Sequence, residues 1–253
     1  MNPNINAIFF DLGGTLRVVD KDEAYTEAAK QRMAELAGTD MDYQDFYKLV
    51  NARYDDYRAW VLRFFCEAPE EILWTRWLCP ELDRTRIREN AAKLTFEWRQ
   101  VKAKGRRVVA PGGVETIKEL YRRGYTLGII SDLVGCYEVD EWLNEDGLRP
   151  YFSTVQQSSI TLIRKPNPAI YYYALCETNC APENACYVGD NLERDILGAK
   201  ASGFGLTVAV EYGKQIQPTE EQMPDGKINA LPDLLDLFPA RGTIDPTHLK
   251  PVF

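Results

Sequence analysis

Histidine is almost missing from this chain, which has a single one, His248, among 253 residues. Ser–His–Asp and Cys–His catalysis both need a histidine beside the nucleophile, whereas His248 stands among prolines near the C-terminus, where we expect a tail residue. The six cysteines include no Cys-x-x-Cys pair. We therefore expect no zinc site and interpret the cysteines as reduced thiols of a cytosolic protein.

Long apolar runs and an excess of positive charge are missing as well. No uninterrupted apolar stretch reaches the ~20 residues that a membrane-spanning helix needs, and the first residues lack a signal-peptide pattern. The formal net charge is −8, and the basic cluster at residues 102–107 is interpreted as solvated surface at a helix end and a loop. These absences predict a cytoplasmic protein with no membrane partner and no nucleic-acid partner.

Short apolar runs alternate with helical patterns from residue 106 onward, and one further apolar run opens the chain. Strands are predicted at residues 5–10, 126–130, 152–155, 185–188 and 206–210, and helices at 113–123, 136–147, 167–180 and 193–202. Strands that alternate with helices form a parallel sheet with right-handed crossovers. The sequence therefore predicts an α/β fold, with a Rossmann-like parallel sheet core and helices on both of its faces.

Residues 17–105 follow a different pattern, because their apolar residues recur at helical spacing. Helices are predicted at 22–37, 42–65 and 83–104, and no strand is expected in this segment. We predict that residues 1–16 and 106–253 form the α/β core and that residues 17–105 form an inserted all-helical cap. Residues 211–253 are interpreted as a C-terminal extension that packs on the core, with a short helix at 231–238.

Four polar motifs stand in order along the predicted core. They are Asp11-Leu12-Gly13-Gly14-Thr15, Ser131, Lys165-Pro166-Asn167-Pro168-Ala169-Ile170-Tyr171 and Gly189-Asp190-Asn191-Leu192-Glu193-Arg194-Asp195. Asp11, Ser131 and Asp190 each follow a predicted strand, and parallel sheets bind their ligands at the carboxyl ends of the strands. We therefore expect these motifs to meet at one edge of the sheet.

Taken together, the four motifs resemble those of the haloacid dehalogenase superfamily, in the subgroup whose helical cap is inserted after the first motif. The resemblance covers residues 5–210. It implies a phosphatase-type hydrolase that uses Mg²⁺ and acts on a small phosphorylated molecule. We expect a monomer or a dimer.

The resemblance also implies the roles of individual residues. Asp11 is the candidate nucleophile, whose carboxylate attacks phosphorus and forms an aspartyl phosphate. Lys165 balances negative charge on Asp11 and the phosphate, and Ser131 donates a hydrogen bond to a phosphoryl oxygen. The phosphate site is completed by backbone N–H groups of Leu12, Gly13 and Gly14. The implied Mg²⁺ ligands are Asp11, the carbonyl of Gly13, Asp190 and, directly or through water, Asp195.

Gly13 departs from the pattern, because the phosphatases of this superfamily carry a second aspartate at that position. That aspartate protonates the leaving oxygen and then activates the water that hydrolyses the aspartyl phosphate. Glycine can do neither, and such acid–base help is typically worth about 10²–10⁴-fold in rate. One hypothesis is a phosphatase-like hydrolase that borrows an acid from the cap or from the substrate. Asp20, Asp22 and Glu23, which lie just past the first motif, are the candidates in the chain.

Two other hypotheses follow from the same glycine. A phosphonatase-like C–P hydrolase would use a cap lysine as a Schiff base, with Lys48 and Lys93 as candidates. A catalytically impaired protein would keep the site to bind phosphate or a partner. Haloalkanoate dehalogenases also lack the second aspartate, but they use no metal, and the pair Asp190 and Asp195 argues against them.

Overall fold

The computed structural model describes residues 4–241 of the chain. The strands are, in chain order, β1 (Ala7–Phe10), β2 (Arg17–Lys21), β3 (Gly105–Val109), β4 (Thr126–Ser131), β5 (Phe152–Gln157), β6 (Ala185–Gly189), β7 (Leu206–Val210) and β8 (Gly226–Ile228). All of them except β2 and β3 form one sheet in the order β5–β4–β1–β6–β7–β8. Every neighbouring pair in it is parallel, which confirms the predicted fold class.

The helices surround this sheet and also fill the segment between β2 and β3. They are α1 (Glu23–Ala37), α2 (Tyr43–Phe64), α3 (Glu70–Ile72), α4 (Arg84–Ala103), α5 (Gly113–Arg122), α6 (Glu138–Glu145), α7 (Ser158–Thr161), α8 (Pro168–Glu177), α9 (Gly198–Ala201) and α10 (Leu234–Leu237). A π-helical stretch, Leu73–Leu78, continues α3, and a second one, Leu192–Leu197, leads into α9. The three long helices α1, α2 and α4 each begin after an aspartate that accepts backbone N–H groups of the first turn: Asp22, Asp42 and Asp83.

Strand β1 is covered on both faces, as its continuous apolar sequence predicts. Ile8 and Phe10 point to one side and belong to a hydrophobic cluster that includes Ile117 of α5. Ala7 and Phe9 point to the other side and pack in a second cluster. Helices therefore lie on both faces of the sheet, and the carboxyl end of β1 is fixed from both sides.

A separate hydrophobic cluster lies among the helices between β2 and β3. Trp74, Tyr57 and Met33 are fully buried in it, and the indole N–H of Trp74 donates to the hydroxyl of Thr95 at 2.7 Å. This cluster takes one residue, Val134, from outside the segment 17–105.

The expectation that residues 17–105 contain no strand is wrong at the start of the segment. Arg17–Lys21 form β2, which pairs antiparallel with β3 in a two-stranded ribbon. The sequence gives no alternating pattern here, since β2 is mostly exposed and its partner is about 90 residues further along the chain. Strand β8 was missed for a similar reason, because its three residues are recognisable only by their pairing with β7.

The remaining predictions on the core are close to the structure. The helix expected at 231–238 forms as a 3₁₀ turn, Leu231–Asp233, followed by α10. His248, interpreted as a tail residue, lies outside the described residues. Between residues 4 and 241 there is no helix whose length and hydropathy would allow it to span a bilayer.

Candidate active site

The order of the sheet brings the polar motifs together. Strands β4, β1 and β6 are neighbours, and Asp11 follows β1 directly, Ser131 is the last residue of β4, and Asp190 follows β6. The backbone N–H of Asp11 donates to the carbonyl of Val188 at 2.9 Å, which extends the pairing of β1 with β6 to the candidate nucleophile. All three side chains therefore stand at the same carboxyl edge, as the spacing of the motifs predicts.

Lys165 contacts the side chains at this edge and is 1% exposed. Its Nζ atom is 2.9 Å from Oδ1 of Asp11 and 2.6 Å from Oδ1 of Asp195. It also donates to the hydroxyl of Tyr187 at 2.8 Å and to the carbonyl of Ile130 at 3.0 Å. Burial lowers the pKa of Lys165, but the charges of Asp11 and Asp195 outweigh burial and raise the pKa above its ordinary value. The ammonium is therefore a fixed positive charge beneath Asp11.

The Asp11 carboxylate is oriented by two donors. Ser131 Oγ donates to Oδ1 at 2.9 Å, and Lys165 donates to the same oxygen. Since both of these bonds reach Oδ1, the other oxygen, Oδ2, is left for an electrophile or a cation. The residue is 6% exposed, so its open side faces only the cleft above the sheet.

Three carboxylates form one acidic cluster at this edge. One oxygen each from Asp11, Asp190 and Asp195 lie within 4.8 Å of one another. Asp190 reaches solvent, yet desolvation by the cleft walls, together with the charges of Asp11 and Asp195, raises its pKa to about 7. Such mutual repulsion is what a divalent cation with oxygen ligands relieves, so the donor set fits Mg²⁺. Asp195 is already engaged on both oxygens, by Lys165 and by the N–H of Asn191, which favours a supporting contact through water.

The turn after β1 is shaped to approach Asp190. Gly14 has a φ of +86°, and a Cβ at this position would overlap the Asp190 carboxylate. Its N–H donates to the carbonyl of Arg17 at 2.8 Å, so the backbone N–H of Gly14 is not free to bind a phosphate as the sequence suggested. Within residues 4–241, the N–H groups of Leu12 and Gly13 have no such acceptor. These two are the remaining backbone donors of the turn.

A cleft of about 810 Å³ opens above these groups. Cationic side chains are frequent in its lining: Arg17, Lys21, Arg58, Arg99, Lys102, Arg107, Arg194 and Lys214. The acidic lining residues are fewer: Asp11, Asp132, Asp190 and Glu211. A chain with a net charge of −8 therefore presents a locally positive cleft, which attracts anionic ligands.

Arg107 is the main residue that the sequence analysis missed. The sequence predicts solvated surface at residues 102–107, but the guanidinium of Arg107 lines the cleft, and its Nη1 lies 3.0 Å from the place of a Cβ on Gly13. Consecutive residues of a strand point to opposite faces, so a strand at this position would have separated Arg106 from Arg107. Tyr187, whose hydroxyl contacts Lys165, was also missed because it lies inside an apolar run.

The candidates for a borrowed acid do not line the cleft. Asp20 is exposed on β2, Asp22 accepts the N–H of Tyr25 as the cap of α1, and Glu23 is exposed in the first turn of that helix. The two lysines considered for a Schiff base are absent from the lining as well. Lys48 pairs with Asp45 on the surface, and Lys93 lines a different cavity, of about 680 Å³.

Comparison with known proteins finds phosphatases among the sequence relatives of this chain. A glyceraldehyde 3-phosphate phosphatase of Pyrococcus furiosus is 35% identical over 130 residues, which are 51% of this chain and 53% of that protein. A phosphoglycolate phosphatase of Vibrio vulnificus is 32% identical over 126 residues, or 49% of this chain and 53% of its own length. The chain thus spans about half the length of the curated relatives that it matches.

The fold as a whole is shared with a solved enzyme. The crystal structure of the 2-haloacid dehalogenase from Pseudomonas syringae superposes on 92% of this chain and 97% of its own, with a TM-score of 0.67 and 20% identity. At that identity the similarity shows the fold alone. The family model of the haloacid dehalogenase-like hydrolases matches residues 8–209, which include most of β1, the acidic cluster and the segment between β2 and β3. Four-fifths of the sequence thus fits one family, and the chain belongs to the haloacid dehalogenase-like hydrolases.

Proposed function

We propose that this protein is a Mg²⁺-dependent phosphohydrolase that acts on a small phosphorylated metabolite through an aspartyl phosphate on Asp11. The observation that supports it best is the arrangement around Asp11. One oxygen of this carboxylate is held by Lys165 and Ser131, and the residue shares an acidic cluster with Asp190 and Asp195. The phosphatases among the sequence relatives favour phosphorus over a halogenated carbon as the site of attack.

The proposed roles follow from charge and position. Asp11 attacks phosphorus with the oxygen that its neighbours leave free, and the bond to the leaving group breaks. Lys165 offsets the charge that gathers as two anions approach each other. The N–H groups of Leu12 and Gly13 are the donors for the phosphoryl oxygens. Ser131 has a single O–H, which donates to Oδ1 of Asp11, so it would have to turn from that carboxylate to reach a phosphoryl oxygen.

The metal site is proposed at the acidic cluster. Asp11, Asp190 and the carbonyl of Gly13 would hold Mg²⁺, and Asp195 would support it through water. The ion would supply positive charge between the carboxylate and the phosphate, in addition to the charge of Lys165. Replacing the side chain at position 13 by hydrogen leaves its carbonyl in place, so we expect metal binding to survive.

We also propose the division into a core, residues 1–16 and 106–253, and a cap, residues 17–105. The β2–β3 ribbon joins the two ends of the cap, while Arg58 of α2 and Lys102 of α4 reach the cleft from the cap side. Residues 211–241 would complete the core, since Leu231 and Leu234 pack in the same hydrophobic cluster as β1, and Tyr212 and Lys214 line the cleft. A cap in this place would exclude water and select the substrate.

The test is a phosphoenzyme assay with Mg²⁺. Wild-type protein, Asp11→Asn and the control Asp20→Asn are incubated with a panel of small phosphate compounds, and released phosphate and acid-quenched phosphoprotein are measured. We expect turnover and labelling in wild type and Asp20→Asn, and neither in Asp11→Asn. Asp20 is a suitable control because it is exposed on β2 and does not line the cleft.

The result also separates the alternatives. Turnover that persists in Asp11→Asn would exclude an aspartyl phosphate at this residue. A lysine adduct trapped by borohydride would favour the C–P hydrolase. If wild type binds phosphate compounds but transfers none, the protein is a binding protein with an inactive site.

A further inference from the structure

We propose that Arg107 takes the place of the missing acid at position 13, and that the substrate is a phosphoric anhydride whose leaving group departs as a stable anion. This inference rests on the proposed function. The leaving group is a carboxylate, as in an acyl phosphate, or a phosphate, as in a diphosphate. Arg107 binds that departing anion rather than protonating it.

The position of Arg107 is the first observation. It lies on β3 opposite Val19 of β2, and its Nη1 is 3.0 Å from the point that a Cβ on Gly13 would occupy. The guanidinium therefore stands next to Asp11, in the space where a longer side chain at position 13 would extend. Gly13 leaves room for Arg107: a Cβ at position 13 would press on the guanidinium, which would have to shift slightly.

The second observation is that Arg107 has no partner of its own. Its Nε is buried without a hydrogen bond, and in the part of the chain that the structure describes its guanidinium forms no ion pair. The neighbouring arginines differ, because Arg17 pairs with Asp146 and Arg99 pairs with Glu138. A half-buried cation that lines a cleft and forms no ion pair is suited to an anion supplied by the ligand.

The charge state of Arg107 defines what it can do. Burial, and then the nearby Arg99, lower its pKa to about 10, so it is still a cation at neutral pH. It can donate hydrogen bonds to an oxyanion, but as a general acid it is much weaker than a carboxyl group. Arg107 therefore gives little help to a leaving group that must be protonated as it departs.

The other acidic residues that line the cleft within residues 4–241 each have a neighbour or a role of their own. The Oδ1 of Asp132 accepts the backbone N–H of Lys165, and Oδ2 lies 3.4 Å from Nη2 of Arg164. Glu211 is 3.4 Å from the ammonium of Lys227, and Asp190 belongs to the proposed metal site. With these groups committed, the site favours substrates that need no acid.

The reaction of such a substrate has two steps, transfer of the phosphoryl group to Asp11 and hydrolysis of the aspartyl phosphate. An oxygen of Asp11 forms a bond to phosphorus, the bond from phosphorus to the leaving oxygen breaks, and its electron pair stays on that oxygen. A carboxylate has a pKa of about 4 and leaves without a proton, whereas an alkoxide does not. Water then attacks the aspartyl phosphate, which regenerates the Asp11 carboxylate, and both protons of the water leave on inorganic phosphate. Without a base at position 13 we expect this second step to be slow.

The experiment compares leaving groups and variants in the presence of Mg²⁺. Acetyl phosphate, pyrophosphate and glycerol phosphate are tested on wild type, Arg107→Gln, Arg107→Lys and Arg106→Gln. Arg106 is the matched control, since it neighbours Arg107 on β3 but is exposed and lies over the ring of Tyr25. Urea unfolding of each variant verifies that it folds. If one of the two variants at position 107 does not fold, the other still tests the role of the guanidinium.

In wild type we expect kcat/KM for at least one anhydride to exceed that for glycerol phosphate by about 10²-fold or more, with a burst of phosphoenzyme. Arg107→Gln should lose about 10²-fold on that anhydride, while Arg107→Lys loses less and Arg106→Gln is unchanged. The anhydride with the larger loss identifies the leaving anion. The double variant Gly13→Asp/Arg107→Gln should gain turnover of glycerol phosphate, whereas Gly13→Asp alone gains little because the new carboxylate pairs with Arg107.

Failure of this inference is distinct from failure of the proposed function. If glycerol phosphate is turned over as well as the anhydrides, or if folded Arg107→Gln keeps its full rate on them, Arg107 does not have this role. The proposed function still stands in that case, provided that Asp11→Asn is inactive. If no compound labels Asp11, the proposed function itself is wrong, and this inference falls with it.

Discussion

The ammonium of Lys165 donates to Oδ1 of Asp11 at 2.9 Å, although 154 positions separate the two residues in the sequence. The same ammonium contacts Asp195 at 2.6 Å, so a single buried cation is shared between two carboxylates. If the ammonium or the carboxylates were removed, the remaining charge would be left without a partner in a site with almost no access to water. The stability of the site and its proposed chemistry therefore depend on the same contacts.

Lys165→Met should destabilise the fold as well as abolish turnover. Two buried carboxylates, Asp11 and Asp195, would lose their cation, and breaking a buried pair from one side costs about 3–5 kcal/mol. Urea unfolding measures this free energy. Lys48→Met is the control, because Lys48 is exposed and pairs only with Asp45 on the surface of α2, so it should unfold as wild type does. Equal unfolding curves for the two variants would show that Lys165 is not needed to hold the carboxylates together.

Gly14→Ala should weaken both the fold and the affinity for a divalent cation. The residue has a φ of +86°, which costs alanine about 1–2 kcal/mol, and the added methyl group would also displace Asp190. Gly213→Ala is the matched control, since Gly213 has a φ of +77° but nothing within 4 Å of its Cβ position. We expect a comparable backbone penalty in both variants in urea unfolding, but weaker Mg²⁺ binding in Gly14→Ala alone. If Mg²⁺ affinity falls equally in both, the close approach to Asp190 has no role in binding.

Arg164 and Glu67 form a buried ion pair between the loop before Lys165 and the region that follows α2. Glu67 also accepts hydrogen bonds from Tyr57 and Ser158, and burial raises its pKa above the ordinary range. Arg164→Met leaves this carboxylate unpaired and should cost about 3–5 kcal/mol. The double variant Glu67→Gln/Arg164→Met removes both charges and should recover part of that loss in urea unfolding. The single variants Glu67→Gln and Arg164→Met are measured beside it. If the loss of unfolding free energy in the double variant equals the sum of their two losses, the pair is not coupled.

Addition of Mg²⁺ should stabilise the folded protein. A cation that binds only the folded state at 100 times its Kd contributes about 2.7 kcal/mol, which for a chain of this size raises Tm by about 5–10 °C. Thermal unfolding with increasing Mg²⁺ measures the shift. Asp190→Asn should remove most of it, while Asp20→Asn should leave it intact because Asp20 is exposed on β2. No shift in wild type at high Mg²⁺ would contradict the proposed metal site.

Much of the core could be predicted from local sequence. The apolar run that forms β1 is followed at once by Asp11, and the same order recurs at β4 with Ser131 and at β6 with Asp190. Strands of this kind can be recognised in the sequence because both of their faces are buried and their residues are uniformly apolar. Parallel pairing then brings their carboxyl ends to one edge, so the meeting of these three residues followed from the strand assignments.

The ribbon β2–β3 could not be predicted in this way. Its strands are half exposed, and each is defined by a partner that lies far away along the chain. The position of Arg107 depends on that ribbon, and so a basic cluster that resembled solvated surface became part of the cleft. The residue Arg107 is visible in the sequence, but no local pattern indicates which way its side chain faces.

The chain by itself determined that a carboxylate follows the first strand, that glycine stands two residues later, and that an acidic pair and a lysine come after it in a set order. These are local properties of strands and turns. Tertiary structure alone decided that Lys165 lies between Asp11 and Asp195 and that a guanidinium stands beside Gly13. The reason is physical: the direction of a buried side chain is set by packing between segments far apart in sequence, which no local pattern encodes.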